Sequence, residues 1–242
     1  MLYFDLESNN LLRDATVIHC IVAYDDVTNI RYIYATGDYM EHVSSIRLNI
    51  EDMLYMLSTA PALCSFNGIM FDLPLLKKLH GFEYDLHKQV DLCLDSRLQY
   101  PDREGHSLAY FGQLLGFPKG DHSDWSKFSQ EMLDYCRQDV AVTEKVYHYL
   151  KQEAGDWDWS ESKKLEYKIA DIQMRQELKG VLFDSAKAVV LSATIGAELA
   201  TIEEEVLKGI PLKAVQQGAT VNKPFLKNGK LSKQCDEWLK GE

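Results

Sequence analysis

With 242 residues, 46% of them hydrophobic, the chain is long enough to bury a full core and to carry an appendage beyond one domain. A net charge of −11 excludes a surface that holds nucleic acid by bulk positive charge alone. Five cysteines, odd in number and without a C-x-x-C pair, exclude a disulfide framework and a cysteine-zinc site, so a reducing cytoplasm is the expected location.

The N-terminus has no basic region followed by a long apolar run, so no secretory signal is expected and the first strand is structural. No run is expected to reach transmembrane length, and no membrane partner is expected. Residues 2–6 alternate as a strand: Leu2, Phe4 and Leu6 face one way, and Asp5 and Glu7 face the other. Paired acids on such a strand carry a desolvation cost unless a cation or solvent meets them. Residues 16–24 and 30–35 are strand-like, and the polar turn 25–29 between them predicts a consecutive antiparallel meander. Residues 49–57 read as a helix leading to a further strand at 62–66.

Asp72 ends the segment Ser65-Phe66-Asn67-Gly68-Ile69-Met70-Phe71-Asp72 and precedes the helix-like run 73–79. An acid at that junction has two readings: a helix N-cap with Pro74 in the first turn, or a metal ligand held at a strand end. Ser107 caps a helix over 108–115 that Gly116 stops. The loop 117–126, rich in Gly, Asp and Ser, is either a connector or a border of a substrate cleft. A helix from Glu131 to about Lys151 carries Tyr135 and Asp139 four residues apart, on one face.

Jointly these segments resemble the tyrosine-bearing subgroup of the DEDD 3′ to 5′ exonucleases. F-D-L-E at 4–7, F-N-G-I-M-F-D at 66–72 and Y-C-R-Q-D at 135–139 match that family's three motifs in order. The resemblance extends to the family A DNA polymerases of short-tailed phages, whose chains also start at the first motif. Residues 90–98 and 106–109 look like the helices such proteins carry before the third motif.

The resemblance implies an α/β fold: a ribonuclease H-like mixed sheet flanked by helices, followed by a smaller helical appendage. It divides the chain into an exonuclease domain over 1–154 and a thumb-like or partner-docking region over 155–242. The catalytic set it implies is Asp5, Glu7, Asp72, Tyr135 and Asp139. The four acids would bind two Mg²⁺ ions, replaceable by Mn²⁺, with Asp5 bridging, and Tyr135 would orient the attacking water. Backbone around Leu6 and Ser8, with Asn67 and Phe71, would touch the terminal nucleotide. The implied activity is proofreading: hydrolysis at a DNA 3′ end, releasing nucleoside 5′-monophosphates, beside a separate polymerase polypeptide or as part of a longer polymerase. Two alternatives remain open here, an RNA 3′ exonuclease of the ribonuclease D type and a non-catalytic docking subunit of a polymerase.

Charge is uneven along the chain. Residues 1–150 hold 12 Lys and Arg against 22 Asp and Glu, and the remainder holds 14 against 15. Bound divalent ions would reverse the local field where phosphate must sit. After Gly155, Trp157 and Trp159 flank a short linker. Two long helices are then expected at 160–179 and 185–208, with Ser160 as a cap and Lys163 and Lys164 on an exposed face. From 208 to 233 there are six lysines and no acid, a composition able to track a phosphate backbone.

Overall fold

The structure is a computed structural model that describes residues 1–41, 44–118, 120–209 and 224–240. Six strands form one sheet: β1 (Leu2–Ser8), β2 (Ile18–Asp25), β3 (Ile30–Ala35), β4 (Ser45–Arg47), β5 (Leu63–Ser65) and β6 (Gln89–Asp91). Their order across the sheet is β4-β3-β2-β1-β5-β6. The first three form the antiparallel meander that the turn chemistry predicts, while β4 runs parallel to β3, β5 to β1 and β6 to β5. A tight turn with Asn29 at φ 58° joins β2 to β3, a conformation that asparagine tolerates better than most residues.

Central β1 is covered on both sides, which is why its alternation separates two apolar groups rather than core from solvent. Leu2, Phe4 and Leu6 pack into one cluster with helices α1 (Ile50–Thr59) and α2 (Asp72–His80). Tyr3 joins the other, with α3 (Leu92–Gln99), α4 (Leu108–Leu114) and the long α5 (Gln130–Ala154). Residues 90 and 91, expected to lie in a helix, instead close β6. Asp91 caps α3 by accepting from Cys93 and Leu94 N–H, and a capping acid followed by apolar residues mimics a helix interior in sequence. β4 escapes sequence patterning because three residues make no period.

The first compact unit runs past residue 154 to Val181. Helix α6 (Ser160–Lys179) supplies Tyr167, Ala170 and Met174 to the α1–α2 core. Ser160 is not the cap of this helix. Trp159 holds that position without a side-chain bond, and Asp158 accepts from Ser160 N–H at 3.0 Å. Lys163 is not on a free face either, because its ammonium sits 2.5 Å from the buried Asp95 carboxylate.

The second unit, 182–242, contains α7 (Ser185–Gly209) and α8 (Lys233–Leu239), with a bridge between Phe225 and Leu231 around Gly229 at φ 78°. Helix α7 corrects one expectation: it has 25 residues and an 18-residue window of mean hydropathy 1.3, so by length and composition alone it is long and apolar enough to cross a membrane. Lys187 and Glu198 interrupt its apolar residues and its acids cluster at 203–205, so no unbroken apolar run marks it in the sequence. Most of the lysine-rich stretch, 210–223, lies outside the described residues.

Candidate active site

β5 is short, and this exposes the site. It pairs with β1 only at Leu2 and Tyr3, so the C-terminal half of β1 has no strand on that edge. A backbone N–H in such a place needs another acceptor. The Asp72 carboxylate lies near the N–H of Leu6, the residue between Asp5 and Glu7, and that N–H works against the effect of burial on its pKa.

Asp72 is not the N-cap of α2. Phe71 occupies that position without a side-chain bond, and Asp72 lies in the first turn, 3% exposed. Burial is the chief cause that pushes its pKa up to about 7. The charge of Asp91 adds to this, and the Leu6 N–H opposes it. Its Oδ1 is buried without a hydrogen-bond partner among the described residues. The loop before it turns through Asn67 at φ 67°. At Gly68 a Cβ would stand 2.1 Å from Ser65 Oγ, so only glycine lets the loop close against Ser65, and it would lie 3.7 Å from Asp72 Oδ2.

Helix α5 brings the third segment. Its apolar stripe of Met132, Leu133, Cys136, Val140 and Val146 packs on the sheet, and the Cys136 thiol donates to the Asp5 carbonyl at 3.5 Å. Asp139, 3% exposed, follows one turn after Tyr135 on the same helix. Donor atoms of Asp5, Glu7 and Cys136 lie within 4.8 Å of one another. Burial pushes the Cys136 thiol well above its ordinary value, so it remains neutral and leaves carboxylate oxygens as the atoms that could hold an ion there. Hard oxygen donors, one of them buried and unpaired on Asp72, fit a hard divalent cation such as Mg²⁺ or Mn²⁺.

A cleft of about 300 Å³ opens beside this cluster, lined by Glu7, Ser8, Asn9, Asn10, Leu11, Phe71 and Trp125. Of the expected substrate contacts, Ser8 and Phe71 line it. The Leu6 side chain lies in the core instead. Asn67 directs its backbone N–H to Asp91.

Trp125 was not among the residues expected at the site. It packs edge-to-face on Tyr135 with ring centroids 5.5 Å apart, and on His122 at 4.6 Å. Its carbonyl accepts from the buried His19 Nε2 at 3.2 Å, which places that ring's proton on Nε2. The signal for it was a large aromatic in the run 120–126, otherwise built of Gly, Asp, Ser and His. Such a residue must bury itself against something, and here it is the tyrosine of the third motif.

Residues 2–151 match the family described as the RNase_H superfamily. The chain is 27% identical over 268 residues to the DNA-directed DNA polymerase of Enterobacteria phage T3, covering 87% of this chain and 36% of the polymerase. It is 27% identical over 266 residues to that of Escherichia phage T7, again covering 36% of the polymerase. The chain therefore spans about a third of the length of these relatives. Among solved structures, Brucella melitensis NrnC with bound Mg²⁺ superposes with a TM-score of 0.55 at 17% identity, covering 74% of this chain and 85% of that one. NrnC bound to pGG superposes at 0.54, with the same identity and coverage. These structures share the fold.

Proposed function

The chain belongs to the ribonuclease H superfamily of nucleases, and from that premise we propose that it is a 3′ to 5′ DNA exonuclease that edits the primer end for a phage-type polymerase. The observation that carries this reading is the meeting of donor atoms of Asp5, Glu7 and Cys136 within 4.8 Å. It brings the helix of the third motif against the two acids of the first. The likeness to phage polymerases over 87% of the chain supports DNA as the substrate and a polymerase, on a separate polypeptide or in a longer chain, as the partner. Work at a replication end places the protein in the host cytoplasm.

Asp5, Glu7, Asp72 and Asp139 would hold two Mg²⁺ ions, with Mn²⁺ as a substitute. When bound, such ions supply Lewis acidity that activates a water near neutral pH and stabilises the leaving 3′ oxygen. The remaining work belongs to side chains. Tyr135 orients the attacking water through its hydroxyl, which is too weakly acidic to serve as the base. Trp125 fixes the Tyr135 ring from one side. Phe71, Leu11 and Trp125 enclose the terminal base in the cleft by apolar contact, which accepts any base. Ser8 and the loop at Asn67 meet the sugar and phosphate. Neutralising the carboxylates with cations also resolves the mismatch between an acidic domain and a polyanionic substrate.

The test is digestion of a 3′-recessed primer-template labelled at the primer 5′ end, with a matched RNA strand in parallel. Wild-type protein should shorten the DNA stepwise in Mg²⁺ or Mn²⁺ and leave it intact with chelator. Folded Asp5→Asn and Asp139→Asn variants should lose activity by 10³-fold or more, on the order expected when a whole ion site is removed. Hydrolysis in chelator, or full activity in either variant, would overturn this reading. Preferential loss of the RNA strand would overturn the choice of DNA.

A further inference from the structure

We propose that Asp91 and Tyr167 are positioning residues for Asp72, and that α6 thereby belongs to the ion-binding apparatus of the nuclease; this rests on the function proposed above. Asp91 ends β6, the edge strand of the sheet, and is fully buried. Its Oδ1 accepts from Cys93 N–H at 3.1 Å and Leu94 N–H at 3.2 Å, which caps α3. Capping needs one oxygen only. The second oxygen serves another purpose: Oδ2 accepts from Ile69 N–H at 3.1 Å while Oδ1 also accepts from Asn67 N–H at 3.1 Å.

Residues 67 and 69 flank Gly68, where a Cβ would stand 3.7 Å from Asp72 Oδ2. The Gly68 carbonyl also accepts from Leu73 N–H at 2.9 Å, directly after Asp72. Asp91 therefore grips the loop on both sides of the point that backs the Asp72 carboxylate. Being at the sheet edge, Asp91 has no further strand to take its own N–H, and the Tyr167 hydroxyl accepts it at 3.0 Å. The same hydroxyl donates to Asp95 Oδ1 at 2.7 Å, and Lys163 holds Asp95 Oδ2 at 2.5 Å. A continuous path of short bonds thus runs from α6 through Asp91 and the 67–69 loop to Asp72. Residues that orient an ion ligand commonly change ion affinity by about 10- to 100-fold when lost.

Two variants separate positioning from simple stability. Asp91→Asn keeps an oxygen for the α3 cap and for Asn67 but presents an amide N–H₂ to Ile69 N–H, so it disturbs the loop selectively. Tyr167→Phe removes a single oxygen and leaves Asp91 unchanged. Ion binding is read without catalysis by titrating the metal-free protein with Mn²⁺ and following free Mn²⁺ by electron paramagnetic resonance, with thermal melts alongside. The expected result is about 10-fold weaker Mn²⁺ binding in both variants. Half-maximal Mg²⁺ for hydrolysis should rise by a similar factor, and the rate at saturating Mg²⁺ should return close to that of the wild type.

Lower melting temperatures with wild-type Mn²⁺ affinity would mean a structural role only and would overturn the proposal. Should Asp91→Asn fail to fold, Tyr167→Phe decides alone, and wild-type affinity there is refutation. A wild-type protein that binds Mn²⁺ but hydrolyses no DNA would overturn the nuclease reading instead, while the Mn²⁺ titrations still judge the positioning.

Discussion

Gly68→Ala tests the geometry of the second motif with one methyl group. The added Cβ would lie 2.1 Å from Ser65 Oγ and 2.7 Å from Ser65 Cβ. Rotating the Ser65 side chain relieves the first contact but not the second, and Ser65 is 2% exposed at the end of β5, with nowhere to retreat. Overpacking of this kind costs about 3 kcal/mol. Replacing glycine recovers about 0.5 to 1 kcal/mol by restricting the unfolded chain, because Gly68 is not at positive φ. The net loss is about 2 kcal/mol, and at this chain length that is a fall of roughly 4 to 8 °C in Tm. The loop will also shift away from Ser65, carrying the Asp72 carboxylate with it, so half-maximal Mg²⁺ for hydrolysis should rise. Melts in chelator and Mg²⁺ titrations of activity measure the two effects. Ser65→Gly removes both clashing atoms and should restore the Mg²⁺ requirement of the double variant. A Gly68→Ala protein that melts at or above the wild type, with an unchanged Mg²⁺ requirement, would refute the close approach.

Tyr135→Phe should leave Mn²⁺ binding intact and slow hydrolysis by about 100-fold, the lower end of what a positioned proton-handling group contributes. An unchanged rate would remove Tyr135 from the chemistry. Trp125→Ala removes one wall of the cleft and the brace on Tyr135; single-stranded DNA binding in Ca²⁺ should weaken by about 10- to 100-fold, the scale of one stacked base. Equal affinity would exclude Trp125 from the base pocket. Burial raises Asp72 to about 7 and Asp91 to about 6, both above the ordinary 3.8. The folded protein therefore binds protons that the unfolded chain has released. Metal-free stability should fall as pH rises from about 4 to about 7 and then level off. The added stabilisation by Mg²⁺ should grow over the same window, because the cation needs an ionised Asp72. Melts from pH 5 to 8, with and without Mg²⁺, would contradict this if the metal-free protein gained stability on the way up.

The antiparallel start, α1, α2, α4 and α5 were legible from alternation in β1, the polar turn 25–29, helical apolar spacing and the Ser107 cap, which accepts from Tyr110 N–H; the Asn49 cap of α1 and Gly81 at φ 66° after α2 emerge only in the structure. The acids were legible because the motifs stand in order. What the sequence concealed was long-range. Trp125 meets His19 across 106 residues, and Tyr167 meets Asp91 across 76, contacts that no local pattern encodes. The change in composition near residue 155 suggested a boundary, yet α6 packs into the first core through only three residues, Tyr167, Ala170 and Met174, among many polar ones. Acid content was the most ambiguous signal. Glu7, Asp72, Asp91, Asp95 and Asp139 are all buried, and charge counting treats them alike. Their partners differ. Asp91 has both oxygens taken by backbone N–H groups, and Asp95 has one taken by Tyr167 and one by Lys163, so each has its burial offset in part. Asp72 keeps Oδ1 buried without a hydrogen-bond partner among the described residues. A buried carboxylate with its oxygens satisfied can hold a loop or a helix in place, whereas one with an oxygen to spare still lacks the cation that would offset its burial.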